Sequence, residues 1–168
     1  GTLGVWLPLA LPALPLVTGQ YAIALHLGID GHYAAVLWSH LLWVLPWMLL
    51  VLQPAWRRID PRLILTARTL GWRRTKIFLL LKCPLLVRPA LLAFATGFSV
   101  SMAQYMPTLW LGAGHFATLT TETVALSSGG SIPILANRAL GLLLVTGTVF
   151  GLAALLSRLV GRYRQGLR

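Results

Sequence analysis

Four runs without a single Asp, Glu, Lys or Arg divide the chain: residues 3–25, 33–54, 89–110 and 139–157. Crossing a hydrocarbon layer of about 30 Å takes roughly 20 apolar residues in a helix, which is close to the length of each run. A charge at the bilayer centre costs on the order of 2.5–3.5 kcal/mol on insertion scales, so a charge-free run of this length predicts a membrane span. The pattern predicts an all-α, polytopic transmembrane bundle of four spans, with residues 55–88 as a long polar interruption. Pro8, Pro12 and Pro15 lie inside the first run and predict an irregular or kinked helix there, whose freed carbonyls need neighbours or a wet cavity.

The cations orient the spans. Of 14 Lys and Arg, nine fall between Ala55 and Arg88 and four, Arg158, Arg162, Arg164 and Arg168, in the C-terminal tail. The connections 26–32 and 111–137 contain none, so the bias in positive charge puts those two outside and the basic segment, the C-terminus and Gly1 in the cytoplasm. Trp6, Trp38, Trp56 and Trp110 fall near span ends, where amphipathic rings favour the interface; Trp43 and Trp47 fall deeper and are expected to pack between helices.

Composition agrees. The 168 residues are 57% hydrophobic and 10% charged, too little polar surface to cover a soluble domain, and the mean hydropathy is +0.78. A net charge of +11 in a soluble protein would suggest nucleic acid, but here the cations sit between apolar runs, which is membrane topology. Cys83 is the sole cysteine, so there is no internal disulfide and no zinc spacing. Without an internal repeat or low-complexity linker, residues 1–168 read as one domain; the start at Gly1 suggests a C-terminal fragment of a longer chain.

The basic segment has internal order. Asp60-Pro61 is a helix start, since the carboxylate can accept from free N–H groups and proline at the first helical position loses no bond. Gly71 is a helix stop. Between them Leu63, Ile64, Ala67 and Leu70 share one face at helical spacing, with Arg62, Thr66 and Thr69 turned away. A second helix is expected from near Trp72 to Pro84, broken there before the third span. An amphipathic hairpin of this charge could also lie on anionic lipid.

The stretch TARTLG, with Pro84 thirteen residues after Gly71 in KCPLLVRPALLA, resembles the EAA loop of permease subunits of binding-protein-dependent ABC transporters of the MetI-like kind. The family pattern is Glu-Ala-Ala, three residues, Gly, nine residues, an apolar residue, one residue, Leu and Pro. Ala67, Gly71, Leu81 and Pro84 keep their places, whereas Leu65, Thr66 and Cys83 stand where the family usually has Glu, Ala and Leu. The upstream IDPRL, the opening LPLALPALPLVTG and the layout of spans extend the resemblance over nearly the whole chain. It implies an ATPase-coupling loop built on Leu63, Ile64, Ala67, Arg68, Leu70, Gly71 and Pro84, which docks on a cytoplasmic ATP-binding subunit and passes its motion to the spans. Any charged contact at the Glu position is lost. It further implies a second permease domain in the same chain or a separate one, a periplasmic substrate-binding protein, the bacterial inner membrane with surrounding lipid, and no cofactor or catalysis in this chain, ATP being bound by the partner.

A pathway needs polar surface. Ala93, Gly97, Ser101 and Gln104 follow each other at helical spacing in the third run; Ser101 and Gln104 are candidates for the pathway, close packing being the other reading. Gly147 and Gly151 form a GxxxG suited to helix contact. In the external segment Thr120 or Thr121 could cap a short helix over residues 124–126, ended by Gly129 and Gly130, with Glu122 its only charge. By resemblance this segment would face a binding protein. Haem ligation has only His40 inside a run, and Ser99 and Ser101 have no His or Asp in reach by sequence to make a hydrolase. An ion-coupled secondary transporter would ordinarily carry a charge within a span, and none is there; a purely structural membrane subunit is the remaining alternative.

Overall fold

The computed structural model describes residues 3–127, 129 and 132–165; Gly1, Gly130 and Arg168, used above, lie outside the described residues, as do the side chains of Arg162 and Arg164. Among the described residues all regular structure is helical. The first run is two helices, α1 (Leu3–Ala10) and α2 (Ala13–Leu27). Pro12 precedes α2 at φ −59°; it has no N–H to give to α1 and disfavours helical geometry at Leu11, so the kink expected from the prolines is a full break. The second run lies within α3 (Tyr33–Arg57).

Residues 61–102 depart from the expected layout. Helix α4 (Pro61–Thr69) is followed by α5 (Arg74–Ile77), a π-helical segment (Phe78–Lys82) and α6 (Cys83–Met102), the last three stacked as one rod. Pro84 therefore does not break the helix. An α-helical proline would press its ring on the carbonyl four residues back; the wider turn, in which the Cys83 N–H reaches the Phe78 carbonyl, opens the ladder just ahead of Pro84. At the far end α6 stops at Met102 and α7 (Tyr105–Leu111) begins after Gln104, so residues 89–110 are not one helix. Helices α8 (Leu119–Ser127) and α9 (Ile132–Gln165) complete the chain.

Among the described residues three helical stretches are long and apolar enough to cross a membrane: Tyr33–Arg57, Arg74–Met102 and Ile132–Val160; α2 is apolar but shorter. Helix α6 lies at the centre, packed on α3 and α9. Small residues allow the α3 approach: Ala93 and Gly97, four apart on one face, are buried, and a Cβ on Gly97 would stand 2.7 Å from Met48 Cγ and 3.0 Å from Val44 Cγ1. Val17 and Ala24 of α2, Ala35 of α3 and Leu111 of α7 form a second buried cluster, with Trp43 and Trp110 packed against it. Trp47, expected between helices, is exposed, and among the described residues nothing lies within 4 Å of a Cβ placed on Gly147 or Gly151. The many exposed leucines of α9 are what a lipid-facing helix presents.

The two cation-free connections come together at one end of the bundle. The Gly31 N–H bonds the Leu111 carbonyl at 2.9 Å, with Gly31 at φ 71° and so in the left-handed region. Thr118 caps α8, one turn earlier than expected: its hydroxyl accepts from the Thr121 N–H at 3.2 Å while the Thr121 hydroxyl accepts from the Thr118 N–H at 2.8 Å. Thr120 donates to the Met102 carbonyl, satisfying the end of α6. Glu122, read above as an isolated charge, pairs with Arg138 at 2.8 Å and joins α8 to α9.

Candidate functional site: a basic hinge and a polar cluster between helices

Two constellations stand at opposite ends of α6. The first is α4. The Asp60 carboxylate accepts from the Arg62 N–H at 2.8 Å, satisfying one free donor of the first turn, with Pro61 at the first helical position. At the other end the Gly71 N–H bonds the Arg68 carbonyl at 2.9 Å and the Trp72 N–H bonds the Ala67 carbonyl at 3.0 Å. That is a Schellman stop, and it needs φ 74° at Gly71, which a side chain adopts only under strain. The chain thus turns out of α4 at a position where nothing lies within 4 Å of a would-be Cβ.

The apolar face of α4 is split. Ala67 is buried and Ile64 half-buried, but Leu63 and Leu70 are 47% and 68% exposed, and Leu65, in the place of the family's Glu, is 64% exposed. Helix α4 itself packs only marginally on the rest of the chain. Arg68 is exposed beside them, and Pro84, half-buried, sits a full helical segment away on α6. Leu63, Leu65, Arg68, Leu70 and Gly71 are thus exposed at the elbow, Ile64 half-buried and Ala67 buried within α4, and Pro84 lies apart from them on α6. Lys76 lies 4.9 Å from the Trp72 ring and Lys82 4.6 Å from the Trp56 ring, so aromatic faces take up two of the cations.

The second constellation was only half visible in sequence. His40 on α3 reaches Ser101 of α6 through Nδ1 at 2.8 Å and Thr108 of α7 through Nε2 at 2.8 Å. Thr108 gives its one hydroxyl hydrogen to the Gln104 carbonyl at 2.7 Å, so toward His40 it can only accept. In the neutral ring the hydrogen is then on Nε2, and Nδ1 accepts from Ser101. Gln104 closes the circuit, donating from Nε2 to the His40 carbonyl at 3.3 Å. The expectation that no imidazole stands near Ser101 is overturned: after the break at Met102 the chain restarts as α7, packed along α3, so that Thr108 and Ser101 flank the same ring. With a threonine hydroxyl rather than a carboxylate behind the imidazole, the arrangement ties three helices.

This cluster opens on a cavity of about 520 Å³ lined by His40, Ser101, Thr108, His115 and Thr118. A smaller cavity of about 290 Å³ is lined by Gln104 and Trp43 among mostly apolar side chains. Gln104 Oε1, Trp43 Nε1 and both amide atoms of buried Gln20 lack a hydrogen-bond partner within the described chain. Each such group costs about 1–3 kcal/mol in an apolar interior unless water, a solute or another chain meets it. Ser101 lines the larger cavity and Gln104, past the end of α6 and so off the expected helical stripe, lines the smaller; both bond His40, and His40 and Thr108 are additions whose one signal is an imidazole in the middle of an uncharged run. Among the described residues no group of His, Cys, Asp and Glu is arranged to hold a metal ion.

These features define a polytopic helical membrane protein with a polar interior and a built elbow at one end. Over 166 residues the chain is 66% identical to the Inner membrane ABC transporter permease protein YnjC of Escherichia coli (strain K12). The identity covers 99% of this chain, which spans 32% of that protein's length. No family model matches the chain, and no solved structure matches it.

Proposed function

We propose that the chain forms part of the membrane domain of an ABC importer of the MetI-like kind, with α4 as the element that docks on a cytoplasmic ATPase. The observation that carries this reading is a short helix capped at Asp60 and stopped at Gly71, holding Leu63, Leu65 and Leu70 in solvent with hardly any packing on its own bundle. Apolar side chains fixed on so rigid an elbow have a partner to meet. ATP binding on that partner would bias the bundle between inward- and outward-open populations, α5 to α6 acting as the lever because they run from the elbow to the polar cluster without a break. His40, Ser101, Gln104 and Thr108 would then line the route of a small polar solute, delivered by a periplasmic binding protein to the end where Gly31 and Leu111 meet. A second permease domain would face the unpaired Gln20 and the exposed α9.

The charge pattern supports a cytoplasmic elbow and C-terminus in the bacterial inner membrane. Deleting Pro61–Leu70 from the full-length permease tests the docking role. The variant is expected to insert in the membrane and to lose co-purification of the ATPase subunit; undiminished co-purification rejects the reading.

A further inference from the structure

We propose that the cleft between the end of α3 and the start of α6 is a binding site for one anionic phospholipid, whose phosphate is held by Arg58 and Arg88. The cleft measures about 550 Å³, and both arginines line it. Its walls are apolar: Val51 and Pro54 of α3, Leu63 of α4, Leu85 and Leu92 of α6. Neither arginine has an acidic partner, the ion pair among the described residues being Glu122 with Arg138 at the other end of the molecule. Asp60 shares the cleft, but its carboxylate caps α4 and bonds neither guanidinium.

Depth makes the case. Arg88 is inside a helix long and apolar enough to span, fourteen residues before its end at Met102, which is about 21 Å along the axis. A guanidinium so placed reaches the boundary of the hydrocarbon, where it is costly without an anion beside it. Among the residues lining the cleft Asp60 is the one carboxylate against two arginines, and it accepts from the Arg62 N–H. A lipid phosphate supplies an anion, matches the fork of donors in geometry, and brings acyl chains for which the apolar walls are suited. Two arginines against one carboxylate leave the cleft net positive, which favours a net-negative headgroup over a zwitterionic one, and the charge pattern puts this end on the cytoplasmic side, where the leaflet is anionic. The site stands whether or not α4 meets an ATPase, so ATPase co-purification measured on the same samples separates the two proposals.

The test is native mass spectrometry of the full-length permease, purified with its partner subunits and titrated with phosphatidylglycerol or phosphatidylcholine. Wild type is expected to retain phosphatidylglycerol about 10-fold or more over phosphatidylcholine. The double variant R58Q/R88Q is expected to lose that preference, while R73Q/R74Q, which removes two cations outside the cleft, keeps it. Equal retention of both lipids by wild type, full retention by R58Q/R88Q, or equal loss in the two variants overturns the site. A measurement free of variants guards against a misfolded one: a photoactivatable phosphatidylglycerol is expected to label the segments around Leu85 and Leu92, and labelling confined to other helices rejects the proposal.

Discussion

Gly71 offers the sharpest perturbation of the elbow, because space and backbone make opposite predictions there. Among the described residues nothing lies within 4 Å of a Cβ built at this residue, so space does not oppose a substitution there at the Cβ. Its φ of 74° is the obstacle, costing a residue with a Cβ roughly 1–2 kcal/mol in the left-handed region, while asparagine tolerates it better. The free variant relaxes its exit from α4 and must restore the left-handed turn to dock. The strain therefore appears in association. At 1.4 kcal/mol per tenfold, Gly71→Ala is expected to weaken ATPase binding about 5- to 30-fold. Gly71→Asn is expected to fall between Ala and wild type, and Gly71→Val to be weaker than Ala because β-branching makes positive φ rarer still. The assay is titration of the purified ATPase subunit against the full-length permease in nanodiscs, with membrane insertion verified for each variant. If Asn and Val weaken association equally, or if all variants bind like wild type, the Schellman stop does not set the docking geometry and the reasoning fails.

Three further outcomes follow from the packing. Gly97→Val drives atoms into Met48 and Val44 and is expected to destabilise the solubilised full-length protein by about 1–3 kcal/mol, with Gly97→Ala milder because the Met48 side chain can move; Gly147→Val, in open space, is expected to leave the midpoint of thermal unfolding almost unchanged. His40→Leu removes both bonds of the imidazole, leaving the Ser101 hydroxyl without its acceptor and Thr108 with only the Gln104 carbonyl, for an expected loss of about 1–3 kcal/mol in the same assay; Ser101→Ala, which keeps the Thr108 bond, is expected to lose less. Asp60→Ala deletes the cap of α4 and is expected to cost about 1 kcal/mol of local stability, read as faster protease cleavage between residues 61 and 70 with unchanged unfolding of the bundle.

Much of this architecture is legible in the residue pattern because lipid imposes simple rules. Charge-free runs must be helical, and Asp60-Pro61 and Gly71 act through backbone groups a few residues away, so the limits of α4 follow from local chemistry. What is decided across the bundle is less legible. Pro84 looks like a breaker, and only the wide turn at residues 78–82 shows how the rod continues past it. The stop at Met102 carries no glycine or proline at the break itself; it is held by Gln104 and by the Thr120 hydroxyl, one of them far along the chain. Because the chain restarts there as α7 against α3, His40 and Thr108, 68 positions apart, share a hydrogen bond that no helical spacing could announce. The apolar stripe of α4 was correct as a face, yet its division into buried Ala67 and exposed Leu63 and Leu70 depends on how little of the bundle stands behind the elbow.

The docking of α4 is tested most directly by placing a photoreactive benzoylphenylalanine at Leu70 of the full-length permease in inside-out vesicles that contain the ATPase subunit. Irradiation is expected to yield a covalent adduct with that subunit, stronger than one from the same probe at Leu143 on the exposed face of α9. An adduct to lipid alone from Leu70, or equal ATPase labelling from both positions, contradicts the assignment of this elbow as the coupling element.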